Sequence, residues 1–253
     1  MQVKRTFDAE VKLGFDNLVV SGCSFTHQFM ETSTSWPYYL KDLGGFNKLF
    51  SCALSGAGNY HISQSVIWSI ENLKPDPAKT LVAVMWSGYD RDDDIFDSSA
   101  IDPEFPWAHQ YTDNVYSGMT GGSDSQNSWS NVKMFFFRDL AKLKSKESRA
   151  VENAIWMISL KRYLDALGYQ SVFMHYLDRT LPSRTNDFSI DNLLPKTIND
   201  TLKSITDSVQ DPYSFCLKRS LLSEDDFHPT PDGYLQWTRE ILIPHLKSKY
   251  SVA

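Results

Sequence analysis

The sequence predicts an α/β fold, a three-layer α/β/α sandwich on a flavodoxin-like parallel sheet, in a single domain spanning residues 1–253. Three observations carry this expectation. Apolar runs end repeatedly in small or polar residues, at Ser21-Gly22, at Ser55-Gly56 and at Ser87-Gly88. Segments with apolar residues at helical spacing separate those runs. The run Thr80-Leu81-Val82-Ala83-Val84-Met85-Trp86 is apolar on both of its faces, as in a central parallel strand. Strands alternating with helices in this way give a doubly wound sheet, in which ligands bind just beyond the carboxyl ends of the strands.

Residues 1–16 are mixed in character and lead into a first strand at about 17–22. Ser35 as N-cap, with Pro37 in the first turn, opens a helix that ends near Gly44-Gly45. A second strand, at about 48–54, runs into Ser55-Gly56-Ala57-Gly58-Asn59. The helix from about 60 to 73 carries Ile62, Val66, Ile67 and Ile70 on one face, and Pro75 and Pro77 break it.

After the strand at 80–86 the rhythm stops. Residues 92–132 hold Asp92-Asp93-Asp94, Gly118, Gly121 and Gly122, and the aromatics Phe96, Phe105, Trp107, Tyr111, Tyr116 and Trp129. A structureless loop of this length tends to be functional or disordered, and the aromatics argue against plain disorder. The reading is an aromatic-rich insertion lying over the site. A long helix follows at about 133–167 with a break near 145–148, an apolar stripe of Trp156, Leu160, Tyr163, Leu164 and Leu167, and Gly168 as its stop. A fourth strand is expected at 171–177, a short amphipathic piece at 196–208 and a small strand at 213–216. The chain closes with a helix from Pro231 towards Lys247, kinked at Pro244.

Composition removes several function classes. The chain is 42% hydrophobic and 22% charged, with a net charge of −6. That mildly acidic balance argues against a nucleic-acid partner, and the densest basic stretch, Lys142-Leu143-Lys144-Ser145-Lys146, reads as a solvated helix face. Cys23, Cys52 and Cys216 are odd in number and widely spaced, with neither a zinc pattern nor a disulfide framework, which points to a reducing compartment. Met1 to Gly14 has scattered charges and no apolar core of signal-peptide length. No run approaches the roughly 20 apolar residues that span a bilayer. The expectation is a soluble chain with no membrane partner and no signal peptide.

The candidate chemistry lies at the two ends of the chain. The apolar run Leu18 to Val20 stops at Ser21-Gly22-Cys23-Ser24, placing a serine on the first strand-to-helix turn. A serine hydroxyl is unreactive at neutral pH until a base takes its proton. Downstream, Asp225-Asp226-Phe227-His228-Pro229 carries an imidazole and two carboxylates just before the last helix. In a doubly wound sheet the first strand's end and the last helix's start can share one rim. A nucleophile, a base and an orienting carboxylate would then meet.

Gly22-Cys23-Ser24-Phe25-Thr26 resembles the first block of the SGNH (GDSL-type) hydrolases, usually Gly-Asp-Ser-x-Ser/Thr. Asp225-Asp226-Phe227-His228-Pro229 resembles their last block, Asp-x-x-His followed by Pro. The resemblance implies Ser24 as nucleophile, His228 as general base and Asp225 as its orienting partner, with Asp226 the alternative. It implies the backbone N–H groups of Ser24 and Gly56 as oxyanion donors. Two departures stand out. Cys23 replaces the first-block aspartate, and the third block, usually Gly-x-Asn-Asp, is Ser87-Gly88-Tyr89-Asp90-Arg91 here. With that asparagine missing, Ser87, Asn59 and Arg91 are the candidates for the vacant oxyanion position. The Gly-Cys-Ser-Phe-Thr variant also resembles sequences from bacteriophages and marine bacteria, which implies a cytoplasmic or virion-associated location.

The function expected from these residues is hydrolysis of a short acyl ester, O-acetyl on a carbohydrate in the sharper form, with no metal and no organic cofactor. Tyr89, Arg91 and Trp107 are the candidate substrate contacts; His27 and His61, just past strand ends, read first as structural or exposed residues and second as substrate contacts. The acidic run Asp90 to Asp94 lacks calcium-loop spacing and reads as a solvated turn. Two rivals remain: a non-catalytic binding or structural protein on the hydrolase scaffold, favoured by the missing asparagine, and a thiol-dependent acyltransferase using Cys23.

Overall fold

The computed structural model describes residues 9–27, 34–89, 92–96, 116–120, 145–177 and 193–250. Its centre is a parallel sheet of β1 (Asn17–Gly22), β2 (Lys48–Ser51), β3 (Thr80–Trp86) and β6 (Gln170–His175), in the order β2-β1-β3-β6. The chain steps from β1 outward to β2, then crosses back to pair β3 on the other side of β1. The crevice where that order reverses lies at the carboxyl ends of β1 and β3, where doubly wound sheets bind ligands.

Strand side chains alternate between two cores, as a period of two requires. Leu18, Val20, Leu81, Ala83, Met85, Val172 and Met174 face one side. Val19, Val82, Val84, Trp86 and Phe173 face the other. On the first face pack α1 (Trp36–Gly44), α5 (Pro212–Leu217), α6 (Pro231–Trp237) and α7 (Ile243–Tyr250). On the second pack α2 (Asn59–Leu73), α3 (Lys146–Ala166) and α4 (Lys196–Ile205). Two helical layers around one sheet make the three-layer α/β/α sandwich expected from the sequence.

Several boundaries have local causes. Pro37 sits in the first turn of α1, and Gly45 closes that helix in the left-handed region at φ 73°. Ser145 caps α3 by accepting from the Ser148 N–H, which explains a helix start at the break expected near 145–148. Residues 133–144 lie outside the described residues. The edge strand β6 is partly covered by residue 207. Asp207 N–H donates to the Phe173 carbonyl at 2.8 Å, and its carboxylate accepts from the Phe173 N–H at 2.9 Å.

Two expectations are corrected, and the closing helix stands with its irregularity placed just before Pro244. Tyr213 to Cys216 is helix, because Asp211 accepts from the Ser214 N–H at 2.6 Å and Pro212 occupies the first helical turn, a helix start signal. The closing helix is interrupted ahead of Pro244, by a π-type turn at 238–242 in which Ile243 N–H reaches back to the Thr238 carbonyl. Proline cannot accept the regular spacing of the carbonyl four residues before it, and a widened turn relieves that clash. The 92–132 stretch contains regular structure: β4 (Asp92–Phe96) pairs antiparallel with β5 (Tyr116–Thr120), Asp92 opposite Thr120 and Phe96 opposite Tyr116. The rest of that stretch lies outside the described residues. Among the described residues, no helix is long and apolar enough to cross a membrane.

Candidate active site

The first turn is built by steric necessity. After β1 the chain folds back at once, with the Thr26 and His27 N–H groups both donating to the Cys23 carbonyl, at 2.8 and 2.9 Å. A Cβ on Gly22 would fall 2.1 Å from Thr26 Oγ1 and 2.9 Å from the Met85 carbonyl oxygen, so only glycine fits. Thr26 is buried, its Oγ1 accepting from Trp36 Nε1 at 3.3 Å and its carbonyl from Ser35 Oγ at 2.9 Å. The turn is thereby pinned to the start of α1, and Ser24 is left half-buried at the rim.

The second turn arrives by continuation of strand pairing. Although β2 ends at Ser51, Cys52 N–H donates to the Val20 carbonyl at 2.9 Å and Leu54 N–H to the Gly22 carbonyl at 3.1 Å. The ladder therefore runs to the end of β1 and sets Ser55-Gly56 beside the first turn. Gly56 takes φ 77°, a conformation that favours glycine. His27 Nδ1 lies 3.0 Å from Ser55 Oγ and ties the two turns together, and burial holds that imidazole below its ordinary value. Among the described residues, no hydrogen bond takes the backbone N–H of Ser24 or of Gly56.

The loop between α5 and α6 supplies the imidazole. Leu222 and Pro229 form an antiparallel bridge, and Ser223 N–H donates to the His228 carbonyl at 2.8 Å. Thr230 then caps α6 by accepting from Gly233 N–H at 3.1 Å. Within this loop Phe227 occupies the left-handed region at φ 59°. His228 Nε2 lies 2.7 Å from Ser24 Oγ. Its ring also lies over Phe25, with centroids 4.4 Å apart and planes tilted by 35°.

The carboxylate at the far side of the ring belongs to Asp226 rather than Asp225. Asp226 Oδ1 accepts from the His228 N–H at 3.0 Å, an aspartate turn closed onto the residue two positions on. That bend brings Oδ2 to 3.2 Å from Nδ1, with the Asp226 carbonyl oxygen 3.1 Å from the same atom. Partial burial alone would raise the Asp226 carboxyl, but the His228 N–H, the neighbouring imidazole and the Ser223 hydroxyl outweigh it and hold it below its ordinary value. Asp225 is exposed, with its N–H directed to Ser223 Oγ at 3.3 Å.

No family model matches the sequence, and no curated protein matches it. Solved structures do. The psychrotrophic esterase EstA from Pseudoalteromonas sp. superposes with a TM-score of 0.50 at 9% identity, over 92% of this chain and 99% of that one. The three-layer α/β/α fold is one that this chain shares with that esterase. A GDSL-like lipase from Bacteroides thetaiotaomicron gives a TM-score of 0.46 at 12% identity, over 92% and 89% of the two chains. An acylhydrolase of Bacteroides fragilis, described as putative, gives 0.44 at 15%, over 93% and 88%.

In this fold the remaining candidates separate clearly. Asn59 is fully buried, and its amide donates to the Ser87 carbonyl at 3.2 Å and to Asn153 Oδ1 at 2.8 Å. Both of its N–H bonds are used, so it has none to offer an oxyanion, which corrects the expectation for that residue. Ser87 is also buried; its N–H donates to Asn59 Oδ1 at 2.8 Å, and among the described residues its hydroxyl has no partner. Tyr89 is 6% exposed and packs in the core with its ring stacked on His175 at 6.2 Å, a position that corrects its reading as a substrate contact. His61 lies in the first turn of α2, and burial pushes its imidazole down to about 4. Arg91 and Trp107 lie outside the described residues. No group of three or more His, Cys, Asp or Glu among the described residues could hold a metal ion.

Two contributors had little or no sequence signal. Phe25 was marked only by its place after Ser24. Asn153 lies 94 positions from Asn59 on a different helix, and no motif connects them.

Proposed function

We propose that this chain is a serine esterase acting on short acyl esters through an acyl-enzyme on Ser24. The observation that carries the reading is the 2.7 Å approach of His228 Nε2 to Ser24 Oγ, between residues 204 positions apart. That distance is what proton transfer from a nucleophile to a base requires. Asp226 takes the role of the third residue: with a proton on Nδ1 directed to its carboxylate and carbonyl, Nε2 is the accepting nitrogen.

In the first half-reaction Ser24 Oγ bonds to the acyl carbon as its proton passes to Nε2, and the carbonyl electron pair moves onto oxygen. The Ser24 and Gly56 N–H groups, on adjacent turns, are the donors proposed for that oxyanion. Collapse breaks the bond to the alcohol, which leaves with the Nε2 proton. A water then gives a proton to Nε2 as its oxygen bonds to the acyl carbon; collapse breaks the bond from the acyl carbon to Ser24 Oγ, which takes the proton back from Nε2 as the carboxylic acid leaves. The third-block asparagine that the SGNH pattern would add is missing. Loss of one oxyanion donor costs about 100- to 1,000-fold in rate, so slow turnover is expected. The aromatic content of 92–132 favours a sugar-borne O-acetyl group as the substrate.

The test is labelling with a fluorophosphonate probe followed by peptide mass mapping, a reagent class akin to the monoethylphosphonate said to inhibit the Pseudoalteromonas esterase. A stoichiometric adduct on Ser24 that disappears in His228→Ala is the expected result. No adduct in folded protein would transfer the reading to a non-catalytic binding protein on the same scaffold. Equal turnover of O-acetylated sugars and plain aliphatic esters would remove the carbohydrate part alone.

A further inference from the structure

We propose that Phe25 is a positioning residue, the platform that sets the plane of the His228 imidazole for proton transfer from Ser24. This rests on the esterase reading above. The two polar contacts at Nδ1 and the one at Nε2 all lie at the edge of the imidazole. Edge contacts restrain where the ring's nitrogens lie but resist tilting of its plane weakly. Asp226 is also a soft restraint, because its side chain is 54% exposed and its charge is screened by water.

The face of the ring has a firmer neighbour. Phe25 lies 4.4 Å from the imidazole, centroid to centroid, and is itself 6% exposed. It packs in turn against the rings of Tyr176, at 4.6 Å, and Tyr213, at 6.4 Å. Tyr176 follows β6 directly and donates its N–H to the Trp86 carbonyl at 3.3 Å, and Tyr213 N–H donates to the Tyr176 carbonyl at 3.3 Å, so the aromatic stack is anchored to the sheet and to α5. Phe25 also follows Ser24 directly, within the turn closed on the Cys23 carbonyl. The nucleophile and the platform for its base therefore move as one unit. The same contact acts electrostatically, since the negative face of a phenyl ring favours the imidazolium formed when His228 takes the proton. A leucine would fill the space but supply neither the flat surface nor the quadrupole.

Two readouts test this. The first is the kcat and KM of Phe25→Leu and Phe25→Tyr on p-nitrophenyl acetate. Leucine is expected to lower kcat about tenfold to a hundredfold, since small misplacements of reacting groups cost that much, with KM within about twofold. Tyrosine keeps the ring and restores kcat to within about threefold of wild type. The second readout is NMR of histidine-labelled protein. The His228 ring protons are expected upfield in wild type and in Phe25→Tyr, from the ring current of residue 25, and displaced downfield in Phe25→Leu.

A folded Phe25→Leu variant with unchanged kcat, in a wild type that labels on Ser24, overturns this inference and leaves the esterase reading intact. A wild type that does not label overturns the esterase reading itself. Should Phe25→Leu not fold, the wild-type spectrum decides: unshifted His228 ring protons overturn the platform, and upfield ones support it.

Discussion

Asn59 and Ser87 are paired in both directions. Asn59 Oδ1 accepts from the Ser87 N–H at 2.8 Å, and Asn59 Nδ2 donates to the Ser87 carbonyl at 3.2 Å. An amide side chain used in this way mimics a strand partner, and it locks the turn after β3 to the start of α2. Asn153 extends the lock, accepting from Asn59 and donating to the Arg149 carbonyl at 2.8 Å and the Tyr89 carbonyl at 3.4 Å. The turn that carries the oxyanion asparagine in the SGNH pattern is therefore held here by an asparagine from the neighbouring element, acting on the backbone.

Asn59→Ala should leave the Ser87 N–H and the Asn153 side chain buried with fewer partners. A buried polar group stripped of its partner costs about 1–3 kcal/mol, so a loss of about 2–4 kcal/mol in unfolding free energy is expected for the set. Urea denaturation of the single variant measures it. A change below half a kcal/mol would mean that the lock does not contribute to stability.

The two aspartates of the last block should differ sharply. Asp226→Asn removes the carboxylate from Nδ1 and should slow phosphonylation of Ser24 by about tenfold to a hundredfold, less than at a buried triad because this carboxylate is exposed. Asp225→Asn should leave the rate within about twofold, in keeping with its place on the outside of the loop. The reverse ranking would restore the spacing expected from the Asp-x-x-His pattern.

That contrast shows where sequence patterns stop. Strands and helices set by local periodicity were legible: the Leu18 to Val20 run, the Ser35 and Pro37 helix start and the fully buried Thr80 to Trp86 strand all stand where the residues place them. The Tyr213 to Cys216 segment is helix rather than the expected strand because the deciding signal, Asp211 and Pro212, lies just upstream of it. Asp226 reaches His228 across Phe227, whose positive φ a phenylalanine gives no reason to expect. Asn153 was beyond reach because its partner is 94 residues away.

Asp207 predicts an acid-sensitive fold. Burial would raise its carboxyl, but hydrogen bonds from His245 Nε2 at 3.0 Å, Lys249 Nζ at 2.6 Å and the Phe173 N–H outweigh burial and hold it below its ordinary value. A carboxyl lowered in the folded state binds its proton more readily when unfolded. Its stabilisation is therefore complete above the ordinary aspartate range and is lost as pH falls through the lower folded value. Asp207→Asn should cost about 1.5–3 kcal/mol at neutral pH, the range for hydrogen bonds to a charged group. The gap between the two proteins should narrow as the pH drops below about 4. Denaturant melts at neutral pH and at pH 3 check both parts, and a gap that widens in acid would contradict the assignment.

Phe227 predicts a pair of variants whose stabilities differ through the backbone. Its φ of 59° crowds a Cβ against the backbone, at a cost of about 1–2 kcal/mol for residues other than glycine. The side chain is 45% exposed, so its removal gives up only part of a buried area. Phe227→Ala keeps the strained Cβ and loses the ring; Phe227→Gly loses both. The glycine variant should be more stable than the alanine variant by about 1 kcal/mol, after allowing for glycine's greater freedom in the unfolded chain. The difference isolates the backbone term, because the ring is absent from both. Equal urea midpoints for the two would mean that the loop relaxes its left-handed turn once the ring is gone, and Asp226 would then lose its hold on His228 in both variants.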